Sequence, residues 1–402
     1  METRGIGRRK LLGHVGSAVA GAAIAAPATA ALLDSRSSDR GSRSPGGIAA
    51  TPVISPYGAH QPGIAAPPPA ASTLVALDLH DDVDRAAVVR LMKVWTTDVV
   101  ALAEGRAVPG DPARDLSQPA RLTVTVGLGR APVRRFGLDA PGLVAVPAMK
   151  HDRLEERWSG GDLVLVVGGA DGTSVAHAVR TLVRDARPFA SVRWQQSGTW
   201  RGTDGAGKRV TGRNLFAQVD GSANALPDTD LFDRTVWIPR GPWTGGTTLV
   251  VRRILMDMDE WERLTRVEME ASVGRDLATG APLTGGEELT DIDPDAREEG
   301  RWVIARDAHA LRAHPSLNGG ARIHRIGANF TETVTDARGT RVETGLLFSS
   351  YQVDVERQFT RIQQSLDESD ALNEWTTAVG SAEFAVLPGF REGGWLGDGV
   401  IG

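Results

Sequence analysis

Two short segments of the chain bring together side chains that could move protons, bind a metal or stabilise negative charge. One holds Asp220 in the run Asp-Gly-Ser-Ala, where a carboxylate can accept and return a proton. The other begins at His309 and ends near Arg325, and it contains two further histidines, His314 and His324. An imidazole can bind a metal ion, and a guanidinium can stabilise an oxygen atom that becomes negative. A structural interpretation competes, because Asp-Gly is a common turn pair and a lone histidine more often packs in a core than binds a metal.

The composition narrows the chemistry that these residues can support. The 402-residue chain contains no cysteine, which excludes disulfides, zinc thiolates, iron–sulfur clusters, thiolate-bound haem and thiol nucleophiles. Any redox reaction must therefore use a cofactor that other side chains hold. The formal charge of −5 is the opposite of the basic balance that nucleic-acid binding requires, so we expect no nucleic-acid partner.

Three segments, in the same order along the chain, resemble the dye-decolourising (DyP-type) peroxidases. Residues 57–64, Tyr-Gly-Ala-His-Gln-Pro-Gly-Ile, resemble the opening signature of that family. Residues 212–224 resemble its G-x-x-D-G segment with flanks, and residues 309–327 resemble its stretch with a proximal histidine and a distal arginine. Similar blocks at 194–198 and 273–275 extend the resemblance across most of the chain. Several motifs in one order are far more specific than any of them alone.

The resemblance implies a haem b peroxidase with one haem per chain. It assigns His309 as the ligand of the haem iron, in keeping with the neutral imidazole that is usual in peroxidases. Asp220 is expected to shuttle the proton of peroxide, and Arg325 to stabilise the departing oxygen. The resemblance also assigns a haem-binding set, which consists of His309, Gly221, Ser222, Ala223, Arg275, His314, Pro315, Arg325, Leu346 and Phe348.

Two further aspartates need separate interpretation. A metal-bound histidine normally donates its second ring N–H to an acceptor that fixes its orientation. The resemblance suggests Asp354 as that acceptor for His309, and a helix N-cap is the alternative role for Asp354. Asp171 lies in a literal G-x-x-D-G run, yet it ends an apolar strand and precedes a helical pattern. We therefore interpret Asp171 as a helix cap.

The sequence departs from the family pattern at three positions. Ala217 stands where the motif has its first glycine, Ile326 where a second arginine is common, and Ala328 where an aromatic residue is common. None of these changes removes a predicted catalytic group. We expect them to affect backbone approach to the haem, substrate access and reduction potential.

The strand and helix patterns indicate how these segments are positioned. An apolar strand at 74–79, acidic residues and a helical pattern follow one another, and the same unit recurs at 248–267. A second unit, a strand at 162–167 and a helix, recurs at 345–366. Repeats at similar offsets indicate an internal duplication. We therefore expect an α+β fold with two ferredoxin-like domains of the dimeric α+β barrel type, each an antiparallel sheet with helices on one face.

The first 50 residues are not expected to belong to this fold. Arg8 and Arg9, followed by an Ala/Gly-rich stretch and small residues at 28–30, are typical of a twin-arginine signal peptide, which we assign to 1–33. A basic disordered tail is the alternative. Residues 34–50 are interpreted as a flexible tether. The N-terminal domain is expected at 51–205 and the haem-binding domain at 206–402. The protein would be secreted, periplasmic or in the cell envelope, and would meet a membrane only during export.

The functional prediction is an enzyme that reduces hydrogen peroxide while it oxidises organic reductants such as dyes or phenols. A rival in the same fold is an exported deferrochelatase-like protein of iron uptake, which removes iron from haem. A third interpretation is a haem-binding module with little catalysis. Release of intact porphyrin would favour the second interpretation, and a phenotype independent of Asp220 and Arg325 would favour the third. The prediction leaves a homo-oligomer open.

Overall fold

The computed structural model describes residues 52–402 except 207 and 338. The predicted signal peptide and tether lie outside the described residues and stay predictions. Across the part of the chain that the structure describes, no helix combines the length and the apolar character that crossing a membrane needs.

The first half of the described chain forms a β-α-β-β-α-β unit. Its elements are β1 (Ala71–Leu79), α1 (Arg85–Ala103), β2 (Thr123–Gly129), α2 (Arg130–Arg135), β3 (Leu163–Gly169), α3 (Gly172–Ala186) and β4 (Ala190–Thr199). The strands pair antiparallel in the order β4-β1-β3-β2.

The second half repeats this strand order with longer insertions. Its elements are α4 (Asp230–Val236), β5 (Thr247–Met256), α5 (Met258–Trp261), α6 (Arg266–Val273), β6 (Arg297–Glu298), β7 (Arg301–Trp302), α7 (His309–Arg312), β8 (His324–Asp336), β9 (Gly339–Gln352), α8 (Arg361–Ser369) and β10 (Thr376–Val386). A π-helical turn, Val355–Thr360, leads into α8. The main sheet has the antiparallel order β10-β5-β9-β8, which corresponds strand for strand to the first half.

Alternate residues of the apolar strands serve two different cores. In β1, Val75 and Leu77 pack with the helices of the first half, whereas Leu74 and Ala76 belong to a second cluster with side chains of β5, β9 and β10. Successive side chains of a strand point to opposite faces, so a continuous apolar run is required when both faces are covered. Such runs explain why these segments form strands and not exposed loops.

Two strand pairings close the halves into one barrel. β2 pairs with β10, and β4 meets β8 at Thr199 and Asn329. The order around the closed barrel is β1-β3-β2-β10-β5-β9-β8-β4. The predicted fold, two ferredoxin-like units joined as an α+β barrel, is confirmed, while the domain boundary at 205/206 stays a prediction.

Acidic caps begin the helices that follow the strands. Asp84 accepts a hydrogen bond from the backbone N–H of Ala87 at 2.7 Å, and Asp171 accepts one from that of Ser174 at 2.9 Å. The interpretation of Asp171 as a helix cap therefore agrees with its geometry. The prediction of one continuous helix after β5 is wrong. The chain turns between α5 and α6, because Thr265 begins a new helix there with a capping box.

Candidate active site

A cavity in the second half of the chain collects nearly all of the predicted site residues. Those that line it are Asp220, Ser222, Ala223, Arg275, His309, His314, Pro315, Arg325, Leu346 and Phe348. Gly221 lies between two lining residues, and its φ of +130° is a backbone conformation that side-chain-bearing residues rarely adopt.

Neighbouring strands of the second sheet form one wall of the cavity. Ile254 of β5 lies opposite Leu346 of β9, and Arg252 lies opposite Phe348 in the same register. Partners in an antiparallel pair project to the same face, so these four residues present a continuous surface. Arg252 and Ile254 were not among the residues predicted from the sequence to line the site. An arginine inside an apolar strand was the available signal, because arginine is rarely buried without a partner.

Arg252 is buried at 2% exposure and forms an ion pair with Asp152. Asp152 belongs to the segment before β3, so the pair connects the first half of the chain to the wall of the cavity. A buried arginine that lost this carboxylate would leave an uncompensated charge, which is strongly destabilising.

His309 lies at the first position of α7, with its imidazole at the cavity. Its Nδ1 is 2.6 Å from Oδ2 of Asp370, whereas its Nε2 has no hydrogen-bond partner among the described residues. Burial disfavours the imidazolium form, but the charge of Asp370 and its hydrogen bond outweigh burial and raise the pKa of His309. The contact fixes the orientation of the ring and leaves Nε2 for a ligand in the cavity.

The suggestion that Asp354 holds His309 is wrong. The carboxylate of Asp354 instead accepts a hydrogen bond from the backbone N–H of Arg357 at 2.8 Å and caps the π-helical turn, which is the alternative role foreseen for it. Asp370 also accepts from the backbone N–H of Leu372 at 3.0 Å. In sequence Asp370 resembles an ordinary cap of a short helix, and only the fold brings it to a histidine 61 residues away.

The two other histidines of the motif have different surroundings. His314 lines the cavity, but its Nδ1 contacts Ser316 at 2.8 Å and its Nε2 contacts Asp291 at 3.0 Å. His324 is buried and packs edge-on against Phe232. Burial, assisted by a nearby arginine, lowers the pKa of His324 to about 4, so the ring is neutral at ordinary pH. Neither ring offers a nitrogen to the cavity as His309 does.

Asp220 and Arg325 form a direct pair at the cavity. Nε of Arg325 donates to Oδ1 of Asp220 at 2.9 Å, and both side chains are partly exposed to the cavity. Asn224 fixes the backbone of Arg325 from both sides, since its Nδ2 donates to the carbonyl of Arg325 and its Oδ1 accepts from the N–H. The fold thus brings together a carboxylate and a guanidinium that lie 105 residues apart.

The loop before Asp220 carries the departure at Ala217. Ala217 has a φ of +64°, in the left-handed region where a glycine would be unstrained. The chain therefore keeps the glycine-like conformation of the motif without the glycine. A backbone hydrogen bond from Ala217 to the carbonyl of Asn214, at 3.0 Å, closes the turn.

Arg275 adds a second positive charge to the cavity. Its guanidinium donates to the carbonyls of Gly280 at 2.8 Å and Glu288 at 2.9 Å, which anchor it beside the lining. Burial, followed by the charge of Arg325, lowers the pKa of Arg275. Two arginines in one cavity are suited to the carboxylates of an anionic ligand.

The donor set of the cavity fits haem. One imidazole nitrogen without a partner can bind iron, the apolar wall at Leu346 and Phe348 can pack against a macrocycle, and Arg275 and Arg325 can meet propionates. Within the described residues, no group of three or more histidine, aspartate or glutamate side chains is arranged to hold a metal ion by itself.

Comparison with known proteins identifies relatives of the chain. The model of the Dyp-type peroxidase N-terminal domain matches residues 61–200, and that of the C-terminal domain matches 211–391. A dye-decolorizing peroxidase of Thermobifida fusca is 38% identical over 366 residues, covering 85% of this chain and 84% of the relative. A deferrochelatase of Escherichia coli is 31% identical over 361 residues, covering 84% of each. The crystal structure of a DyP-type peroxidase from Cellulomonas bogoriensis matches with a TM-score of 0.81 and 43% identity, covering 87% of this chain and 98% of that chain.

Proposed function

The chain belongs to the Dyp-type peroxidase family, and on this premise we propose that His309 binds the iron of its haem while Asp220 and Arg325 act on peroxide. The enzyme is a haem-dependent oxidoreductase that uses hydrogen peroxide and a reducing substrate. One observation carries the residue assignment. A single cavity holds an imidazole whose Nε2 has no partner among the described residues, together with a hydrogen-bonded carboxylate–guanidinium pair.

Each of the three side chains has a distinct task in this proposal. Bound haem supplies the redox-active iron that takes up the oxidising equivalents of peroxide. Asp220 accepts the proton of the near peroxide oxygen and returns it to the far oxygen, which leaves as water. Arg325 stabilises the negative charge that develops on the departing oxygen and orients Asp220 through the 2.9 Å hydrogen bond. Asp370 keeps His309 oriented and increases the electron donation of its ring.

Haem binding tests the assignment of His309 directly. Replacement of His309 by alanine removes the proposed protein bond to iron, so we expect loss of stable haem binding. His314→Ala is the matched control, because it removes a cavity-lining imidazole whose nitrogens already contact Ser316 and Asp291. Titration of each apoprotein with haem, followed at the Soret band, measures the difference. Retained five-coordinate, histidine-ligated haem in the His309 variant would contradict the assignment.

Pre-steady-state kinetics test the assignment of Asp220. Asp220→Asn keeps an oxygen for the Arg325 hydrogen bond but loses the basic carboxylate oxygen that accepts the proton of peroxide, so the second-order reaction with peroxide should slow by about 10²–10⁴-fold. Asp171→Asn is the control, because asparagine caps a helix about as well as aspartate. Stopped-flow absorbance of the haem protein mixed with peroxide measures the step. A slow Asp171 variant beside a normal Asp220 variant would show that the chemistry belongs to the first half of the chain, contrary to the proposal.

The identity of the reductant and the cellular role belong to the proposal as well. Dyes and phenols are the reductants that we expect, and a deferrochelatase activity is the second candidate because a protein of that name is 31% identical. Incubation with haem and hydrogen peroxide, with and without an organic dye, separates the two. Dye oxidation with haem intact supports the peroxidase role, whereas stoichiometric release of iron-free porphyrin supports the second.

Export by the twin-arginine route is a further part of the proposal. It is supported by the order of a basic segment with Arg8 and Arg9, an Ala/Gly-rich stretch and small residues at 28–30. That route carries folded proteins, so it suits a chain that must bind its cofactor before it leaves the cell. The final location would be outside the cytoplasmic membrane.

A further inference from the structure

Asp220 is held by two donors of unequal strength. Arg325 donates to Oδ1 at 2.9 Å and brings a positive charge, whereas Nδ2 of Asn214 donates to Oδ2 at 3.3 Å and is neutral. Hydrogen bonds to ionised partners are shorter and stronger than neutral ones. Placing a proton on Oδ1 would sacrifice the stronger contact, so Oδ2 is the oxygen that can take the proton of peroxide at the lower cost.

Asn214 is itself fixed in one orientation. Its Oδ1 accepts from the backbone N–H groups of Phe216 at 3.1 Å and Gln218 at 3.3 Å, and its Nδ2 also donates to Oε1 of Gln218 at 3.0 Å. A flipped amide would turn its NH₂ group toward two N–H donors, so the network allows only the orientation that presents Nδ2 to Asp220. The side chain is buried at 9% exposure, which keeps competing water away.

We propose that Asn214 is a positioning residue for the reaction with peroxide, because its amide donates to Oδ2 of Asp220 and holds that oxygen in place. This inference rests on the proposed role of Asp220. A neutral amide suits the position, because it holds Oδ2 without adding the second positive charge that another guanidinium would bring. The short turn from 214 to 220, closed by backbone hydrogen bonds, keeps the two side chains together.

Asn214→Asp tests the contact with Asp220 separately from the role of Asn214 in closing the turn. The new carboxylate can still accept both backbone hydrogen bonds, so the turn keeps its backbone anchors. An acceptor replaces the donor that faces Oδ2 of Asp220 and Oε1 of Gln218. Two facing carboxylates retain a proton to higher pH. Arg213 lies on the same turn, and Glu288 contacts Ser222. The other charged or titratable groups of the cavity lining are Arg252, Arg275, Asp291, His309, His314, Arg322, Arg325 and Asp370. The substitution changes none of these groups.

The measurement is the second-order rate constant for peroxide as a function of pH, taken on the haem-loaded enzyme. We expect the acid-side midpoint of the Asn214→Asp variant to move upward by about one pH unit or more, which lowers the rate about tenfold or more on the acid side. Gln364→Glu is the control for added charge, since Gln364 is exposed on α8, and it should leave the profile unchanged. The Soret band and thermal unfolding verify that each variant folds and retains haem.

Asn214→Ala provides a second variant that adds no charge. It removes the donor to Oδ2, so the midpoint should move in the same direction by a smaller amount. An unchanged midpoint in both variants, with Asp220→Asn slow, would overturn the role of Asn214 alone. A normal rate in Asp220→Asn would instead overturn the proposed function of Asp220, so the two failures are distinguishable.

Discussion

The contact between His309 and Asp370 allows a sharp prediction about the haem. Asp370→Asn removes the negative charge that accepts from Nδ1 at 2.6 Å but keeps an oxygen for the hydrogen bond from Leu372, so the local fold should survive. The Asp370 side chain is 5% exposed, so solvent screens little of its charge. Loss of such a partner typically weakens a metal site about 10–100-fold, which corresponds to about 1.4–2.7 kcal/mol.

Transfer of haem to an excess of a haem-scavenging apoprotein measures this weakening as a faster dissociation rate. The midpoint potential of the iron should also rise, because a less basic imidazole stabilises the oxidised metal less well. Asp354→Asn is the matched control, since that carboxylate caps the turn at 355–360 and an asparagine can do the same. An Asp370 variant that kept the haem affinity and the midpoint potential of the wild type would contradict this role of Asp370.

Three further outcomes follow from local features of the chain. Burial, then Asp185, raises the pKa of the buried Asp98 to about 7, above its ordinary value of about 3.9. The folded state therefore binds this proton more tightly, and the contribution of Asp98 to stability falls as pH rises from 4 to 7. In the Asp98→Asn variant this fall should be absent. Its free energy of unfolding, measured by chemical unfolding, should exceed that of the wild type by an amount that grows with pH to at most about 4 kcal/mol at pH 7. An equal difference at pH 4 and pH 8 would contradict the raised pKa of Asp98. Ala217→Gly should raise the free energy of unfolding by about 1 kcal/mol, because it relieves the left-handed conformation, and a loss of stability would show that Ala217 is unstrained. Replacement of Arg8 and Arg9 by lysine should retain the full-length protein inside the cell, as immunoblots of fractions would reveal, and unchanged processed protein outside would argue against the twin-arginine route.

Much of the fold could be predicted from local sequence patterns. Apolar runs such as that of β1 identify strands with two covered faces, and the capping aspartates Asp84 and Asp171 mark where the helices begin. The repetition of these units along the chain predicted two similar sheets. These signals are local, because a strand or a capped helix depends on residues within a few positions of one another. The split between α5 and α6 was missed, since the apolar spacing continues across the capping box at Thr265.

The candidate site, like the fold, could be predicted only in part from the sequence. The order of motifs singled out His309, Asp220 and Arg325, and the fold brings all three to one cavity. Sequence alone did not identify Asp370, because its spacing matches a helix cap, nor Asn214, whose amide is oriented by the turn that it closes. Partners that lie far apart in sequence leave no periodic signal, and they meet only when strands pair and the barrel closes. The sequence therefore singled out the candidate groups for the chemistry, and the tertiary structure decided which neighbours hold those groups in position.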